Sequence, residues 1–548
     1  MFGVIFVFVF LLHAPLLRLP YFWDEAGYYV PAARDLLLAG SLIPHSTVSN
    51  AHPPLVMVWL ALWWKVVGFA PTVTRTAMLV IAAFSLLGLF RLAERVANTQ
   101  VAVASTLCTA LYPVVFAQSS LAQVDLAAAG LTFWGLAAYV EGETIATAFW
   151  FALAALAKET AILAPMALVC WEVVGLLVRK SSLRELWLEN ADRESRAGSV
   201  RRIASLFIPA MPLALWYTYH YARTGYVFGN PEFFRYNVAA TLSFTRFLLA
   251  LALRLWQISG YLHLWVLTLA MLLAMCLLAP RRDPSGERPR ISLPVQMDFY
   301  VVMLAYAVVM ALIGGAVLAR YMLPAVPLVI IVSVSTLWHR MHYWLVVVLC
   351  VAIAFVVAWF WNPPYGFSLE DNLAYRNYIE LHEDGEHFLE ARYPMARVLT
   401  AWPASDEISR PWLGYITRPM QVVRIENFSL DEVISAAAPH SDCRVALVFS
   451  TKYEPGPAVW DNWRTWTELK GRFFGFHRDL TPAAVAQILG GHIVFSEQRR
   501  GQWVAVIEIE RVEEASGFAF TWDFLRGERG SLSELGLANV YRFSQQRY

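Results

Sequence analysis

FGVIFVFVFLLHAPLLRLP, residues 2–20, contains no acidic residue and is followed at once by YFWDEAGYY, residues 21–29. An apolar run of this length suits one membrane-crossing helix, which needs about 20 mostly apolar residues. No basic leader and no small-residue cleavage site accompany it, so a retained span is expected over a removed signal peptide. The acids Asp24 and Glu25 then fall just past the span's end, at the bilayer surface.

Composition extends this reading to the whole chain. Of 548 residues 58% are hydrophobic and 16% charged, and mean hydropathy is +0.49. Soluble domains average about 45–50% apolar and about 25% charged, so a soluble enzyme of this kind would expose far too much apolar surface. A net charge of +1 excludes nucleic acid as a partner on electrostatic grounds, since phosphate neutralisation needs a basic excess. Cys108, Cys170, Cys276 and Cys350 sit in apolar runs, and only Cys443 lies in polar sequence. Neither a disulfide framework nor a CxxC metal site is formed.

Hydropathy predicts about eleven spans. After Phe2–Pro20 come Thr76–Phe90, Val101–Ala117, Leu126–Val140, Ile145–Ala157, Ala161–Val178 and Ile203–Tyr221. Leu262–Leu278, Phe299–Leu318, Met322–Leu337 and Tyr343–Trp361 complete the set. The pair around Lys158 reads as a short helix in and a short helix out. Arg179, Lys180, Arg184, Arg193, Arg196, Arg201 and Arg202 crowd one loop, and Arg281, Arg282, Arg288 and Arg290 another. The positive-inside rule makes these loops cytoplasmic. Asp24, Glu25, His52, Asp125, Lys158, Arg320 and Tyr321 then all face the opposite, external side. Thr241–Ser259, with Arg246 and Arg254 among Phe, Leu and Trp, reads either as a helix lying in the interface or as an extension of the eighth span.

The first external loop, residues 21–74, returns to the membrane through Asn50-Ala51-His52-Pro53-Pro54-Leu55. Its prolines set a rigid entry to a helix at Leu55–Val67, which ends at Gly68. Beyond Pro363 the long apolar runs stop. Short alternating stretches such as Arg397–Ala401, Arg444–Ser450 and Trp503–Ile509 read as strands. The expected organisation is a polytopic α-helical membrane domain over residues 1–361 and a soluble external α/β domain over 362–548. No internal repeat of fixed period is present.

Each polar motif has a plain structural reading. Asp24 and Glu25 suit a solvated helix start, His52 an interfacial cap and Asp125 an N-cap. Lys158 and Glu159 can neutralise one another, and Arg320 can snorkel. Their convergence on one face favours chemistry instead. Paired acids push their pKa values apart and leave one poised as a base. Arginine forks onto phosphate oxygens, and a neighbouring Tyr adds a hydroxyl.

Trp23-Asp24-Glu25 with Tyr28-Tyr29, His52-Pro53-Pro54-Leu55, Gln118-Ser119 through Asp125, Lys158-Glu159 and Arg320-Tyr321-Met322-Leu323-Pro324 together resemble the membrane glycosyltransferases of the C-type (GT-C) fold. The similarity is to protein O-mannosyltransferases and lipid A aminoarabinose transferases, over roughly Tyr21 to Leu337. It implies a polyprenyl-phosphate sugar donor, an envelope hydroxyl acceptor (protein, lipid A or another glycan) and inversion at the anomeric carbon. It also implies a bacterial inner membrane with the site on its external, periplasmic face. Asp24 matches the family's catalytic acid, with Glu25 its neighbour and Asp125 the second-loop acid. Lys158, Arg320, Tyr321 and His52 fall where donor phosphate contacts are expected. One departure is Ala51-His52, where the aminoarabinose transferases carry Glu-Lys. Loss of that acid speaks against a metal site here, and no cofactor is expected. The competing classes are a lipid-linked sugar transporter or flippase, whose site would lie at mid-membrane between repeats, and a non-catalytic envelope protein whose tail binds glycan.

Overall fold

The computed structural model describes residues 1–178, 196–231, 243–283, 286–313, 315–437, 443–453, 463–474, 476 and 479–510. Arg179, Lys180, Arg184 and Arg193, on which the orientation leans most, lie outside the described residues, as does the end of the expected α/β domain.

The membrane part is helical, and its breaks fall where sequence chemistry demands. Pro113 drives Tyr112 into extended geometry (φ −61°, ψ 127°). The chain therefore bends by 69° between helices Thr99–Leu111 and Pro113–Ser120. That bend delivers Gln118–Gln123 to the start of helix Asp125–Glu141, which is closed by Gly142 in the left-handed conformation (φ 79°). Lys158 is extended (φ −153°) and separates helix Thr144–Ala157 from the turn Glu159–Ile162 and helix Leu163–Val178, so two helices flank Lys158. Leu55–Val67 is also helical and ends at Gly68 (φ 99°).

Among the described residues, four helices are long and apolar enough to cross a membrane, or five with the bent pair; five further apolar helices have 10–17 residues. Most expected spans thus form as helices, several of them shorter than a bilayer. Phe244–Ser259 is helical, but Leu262 (φ 45°) and His263 (φ 67°) separate it from Leu264–Leu277. Its arginines are buried. Arg254 donates to the Leu318 carbonyl (2.7 Å), and Arg246 to that of Gly315 (3.0 Å). These bonds tie down the segment that carries Arg320.

Helix Pro71–Val96 packs on Asp125–Glu141 at backbone contact. A Cβ on Gly130 would meet Ser85 Oγ at 1.9 Å and Ser85 Cα at 2.7 Å. Small residues permit such an approach between membrane helices.

After Phe360 the elements are mixed. Five strands order as Gln421–Ile425, Arg397–Ala401, Val445–Phe449, Gln502–Ile509 and Gly491–Arg499. The first three are parallel, and Gln502–Ile509 runs antiparallel to both its neighbours. All five residues of Val445–Phe449 are buried, as a central strand covered on both faces requires. Helix Ala374–Arg392 crosses the sheet, with Gly385 against Leu447 and Val504.

This region packs directly on the first loop. Tyr21 N–H donates to the Leu413 carbonyl (3.2 Å), and Tyr415 Oη donates back to the Tyr21 carbonyl (3.1 Å). A Cβ on Gly27 would strike the Trp402 ring at 2.8 Å. Trp23, held at φ 46°, lies edge-on to Trp402 (5.0 Å) and Tyr378 (5.7 Å). A left-handed tryptophan is strained, and such strain persists only when surrounding packing over-determines it.

Gly130→Val should lower thermal stability by about 1–3 kcal/mol through overpacking. Melting in detergent measures this, and Ser85→Gly in the same chain should recover part of the loss. An unchanged melting temperature would show that the two helices separate freely.

Candidate functional site

A cavity of about 1830 Å³ opens between the membrane helices and the sheet region. One flank is apolar and formed by transmembrane-type helices, with Leu213, Leu249, Leu253, Trp256, Met310 and Ile313 among its walls. The opposite flank carries Trp402, Trp463 and Trp466. Between them lies a cluster of charge.

Arg320 is the centre of that cluster. It sits in a single helical turn, Ala319–Met322, just before Pro324. Its Nη2 donates to Asp24 Oδ2 and its Nη1 to Glu370 Oε2 (2.7 Å) and to Gln123 Oε1. Its Nε lies 3.5 Å from Asp125 Oδ2. Lys158 Nζ is 2.5 Å from Asp125 Oδ1 and stands over the Tyr321 ring at 4.1 Å. Asp125 occupies the first turn of its helix, where the positive end of the dipole also favours an anion.

Five of the expected residues are therefore in mutual contact: Asp24, Asp125, Lys158, Arg320 and Tyr321. Asp24, Lys158, Arg320 and Tyr321 line the cavity, while Asp125 lies behind both cations. His52 lines the same cavity. Its Nδ1 meets Glu159 Oε2 at 3.0 Å, and its ring lies 5.6 and 5.7 Å from the rings of Tyr28 and Tyr29. The adjacent Lys158 and Glu159 do not neutralise one another; each pairs with a distant partner.

Glu25 goes elsewhere. Its side chain is fully buried, outside the cavity lining, and paired with fully buried Arg75 at 3.1 Å. It also accepts from the Phe22 N–H (2.8 Å) and the Ala122 N–H. Arg75 donates in addition to the carbonyls of Leu19 (3.2 Å) and Ser120 (2.9 Å). Glu25 thus ties the first loop to the Gln118–Asp125 segment, and Asp24, one residue earlier, is the acid that reaches the cavity.

Of the carboxylates on Arg320, Asp24 is 33% exposed while Asp125 and Glu370 are each 4% exposed. Asp24 is the most exposed of the three, and Glu370 lines the cavity with it. Glu370 belongs to the turn Leu369–Asp371 beyond the last apolar helix. Burial, beside Asp24 and Asp125, pushes its pKa up against the opposing pull of Arg320. Burial likewise pushes Asp371 up to about 8, and it accepts from Tyr261 Oη at 2.6 Å.

Glu370 and Gln123 were not anticipated as site residues. The signal for Glu370-Asp371 was present: an acidic pair just past an apolar run, the same pattern as Asp24-Glu25. Gln123 lies inside the Gln118–Asp125 motif but carries no charge to draw the eye.

The site is that of a polytopic protein with a charge cluster beside an apolar cavity, and residues 51–189 match the family model described as dolichyl-phosphate-mannose-protein mannosyltransferase. The matched segment holds His52-Pro53-Pro54-Leu55, Asp125 and Lys158-Glu159, and it supports the resemblance to the C-type membrane glycosyltransferases. No curated protein matches the chain by sequence. Among solved structures, ArnT from Cupriavidus metallidurans bound to undecaprenyl phosphate is similar at TM-score 0.48 and 12% identity, over 92% of this chain and 97% of that one. The Archaeoglobus fulgidus oligosaccharyltransferase in complex with Zn and sulfate gives TM-score 0.41 and 10% identity, over 81% and 67%. Arabinofuranosyltransferase AftD from mycobacteria gives 0.41 and 14%, over 93% and 39%.

The Asp371 shift makes a pH prediction. A carboxyl raised from 3.8 to about 8 on folding keeps a proton that the unfolded chain gives up. Its favourable contribution is therefore full below pH ~4 and is lost as pH rises through ~8. Asp371→Asn removes that loss, so the melting temperature of the variant relative to the parent should climb from pH ~4 to ~8 and then level off. A pH-independent difference would contradict the assignment.

Proposed function

We propose that the protein is an inverting glycosyltransferase that moves a sugar from a polyprenyl-phosphate donor to a hydroxyl of an envelope acceptor. The carrying observation is the cluster on Arg320, where acids and cations from distant parts of the chain meet at the wall of a cavity with an apolar flank. The family match supports the donor class, since its description names a lipid-phosphate sugar.

In this reading the isoprenoid lies along the apolar flank and the phosphate enters beside Lys158, Arg320, Tyr321 and His52. Counted as ionised, Asp24, Asp125 and Glu370 outweigh Arg320 and Lys158 by one negative charge. Burial pushes the Glu370 carboxyl up, and one proton on the cluster would bring its charge to zero. The incoming phosphate competes with Asp24 for the Arg320 guanidinium and turns the carboxylate toward the acceptor.

Reaction is a single displacement. Asp24 takes the acceptor's proton as the acceptor oxygen attacks the anomeric carbon. The bond from that carbon to the phosphate oxygen breaks, and the electron pair leaves on polyprenyl phosphate, where Lys158 and Arg320 stabilise it. Asp125 fixes both cations, and Glu25 positions the loop that presents Asp24. No step calls for a metal in the first loop.

The same reading assigns residues 1–361 to about eleven spans and residues 362–548 to a soluble α/β domain. The catalytic loop 21–74 and that domain face the external side of a bacterial inner membrane.

The test is transfer of labelled sugar from a polyprenyl-phosphate donor by the purified chain. Asp24→Asn should lower kcat by about 10²–10⁴-fold while donor binding persists. Full activity in Asp24→Asn would refute its role as base. Translocation of the labelled lipid across vesicles without transfer would replace the enzyme by a flippase.

A further inference from the structure

A second cluster of ligating groups lies in the sheet region, apart from the cavity. His382 and Glu386 are four residues apart on helix Ala374–Arg392 and share one face of it. Glu407 joins them from the short helix Ala404–Glu407. One ligating atom from each lies within 4.8 Å of the other two. His382 Nδ1 faces both acids, at 2.6 Å from Glu407 Oε2 and 3.6 Å from Glu386 Oε1.

All three side chains are buried, at 0–1% exposure. Nε2 of His382 has no hydrogen-bond partner among the described residues, and the free oxygens of Glu386 and Glu407 have none there but each other. Among those residues, His382 is the one ion-pair partner that either glutamate has. Two carboxylates and a single imidazole in an aromatic shell form a costly arrangement, because a buried polar atom left unpaired loses its hydration without return, the more so when charged. Tyr378 stacks on the imidazole at 4.0 Å and Phe449 meets it at 4.5 Å, so among the described residues aromatic rings rather than cations flank the imidazole.

The geometry points to a structural divalent-metal site formed by His382, Glu386 and Glu407. Two carboxylates and a neutral imidazole balance the charge of one divalent ion. A mixed N/O set of this kind suits Zn²⁺, which binds at about 2.0–2.2 Å. The Nδ1–Oε2 contact must widen slightly to admit the ion, and the three ligands leave one position for a trapped water. Complete burial argues for a structural rather than a catalytic ion.

Placement gives the site its purpose. Tyr378, stacked on His382, also meets the edge of Trp23 at 5.7 Å, and Trp23 precedes Asp24. An ion joining the helix Ala374–Arg392 to Glu407 would stiffen the platform beneath the first loop. The site stands whether or not the chain transfers sugar.

The test is metal analysis of the full-length chain, purified in detergent without chelator or metal-affinity resin. About one zinc per chain is expected, and Glu386→Gln or Glu407→Gln should lower it by roughly tenfold or more. Undiminished metal in both variants would overturn the proposal, since the ion would then lie elsewhere. No metal as purified, no uptake on adding Zn²⁺ and no rise in melting temperature would also overturn it, leaving two carboxylates that share one proton. Should the variants fail to accumulate, Co²⁺ loaded into chelator-treated parent protein decides. Intense visible absorption, from a low-coordinate ion and unchanged by polyprenyl phosphate, supports the site. Weak absorption, no uptake or displacement by the lipid rejects it.

Discussion

One guanidinium organises this molecule. Arg320 is almost wholly enclosed, and a charge taken out of water must be compensated by partners of the right geometry. Its partners come from the first loop (Asp24), the bent-helix segment (Gln123, Asp125) and the turn after the last apolar helix (Glu370). None of these segments is near another in sequence. Their meeting fixes how the membrane helices and the sheet region sit together at the cavity. Loss of such an arginine leaves buried acids uncompensated, typically at about 3–5 kcal/mol. Inactivity after its removal would therefore say as much about folding as about chemistry.

A second buried pair gives the first loop its rigidity. Glu25 and Arg75 bond each other through both guanidinium Nη atoms and spend their other hydrogen bonds on backbone groups of Leu19, Pro20, Phe22, Ser120 and Ala122. Neighbouring acids thus divide the work: Glu25 faces inward and ties the backbone, and Asp24 faces the cavity. The strained Trp23 between Phe22 and Asp24 is the hinge of that division. Its ring is wedged between Tyr378 and Trp402 of the sheet region, while Arg75 of a membrane helix holds Glu25, so the loop is gripped from two sides.

Much of the site was legible because charged groups are rare in apolar sequence, and each rarity marks a location. Asp24, Asp125, Lys158 and Arg320 stood out on that ground. The break at Lys158 and the end of the span before Gly142 were equally local, as were the strands Arg397–Ala401 and Trp503–Ile509, whereas the 69° bend at Pro113 falls inside the expected span Val101–Ala117. What could not be read was pairing. Lys158 beside Glu159 invited a local neutralisation, yet Lys158 reaches Asp125 and Glu159 reaches His52. Residue chemistry alone does not distinguish Asp24 from Glu25; the family resemblance separates them, and the position of Arg75 gives the physical reason. Glu370 was hidden by a boundary, because the composition change near Pro363 drew attention to a new region rather than to a return to the cavity. His382, Glu386 and Glu407 were likewise hidden: their 25-residue gap crosses a strand, and one helical spacing of His and Glu carries little weight.

The proposed function seats a lipid phosphate on Arg320 and Lys158, with Asp24 facing the acceptor. A structure of the protein with polyprenyl phosphate bound tests it most directly. Phosphate oxygens are expected within hydrogen-bond distance of Lys158 and Arg320, the isoprenoid along Leu249, Leu253 and Met310, and Asp24 released from the guanidinium. A phosphate bound away from both cations, with Asp24 still locked to Arg320, would contradict it.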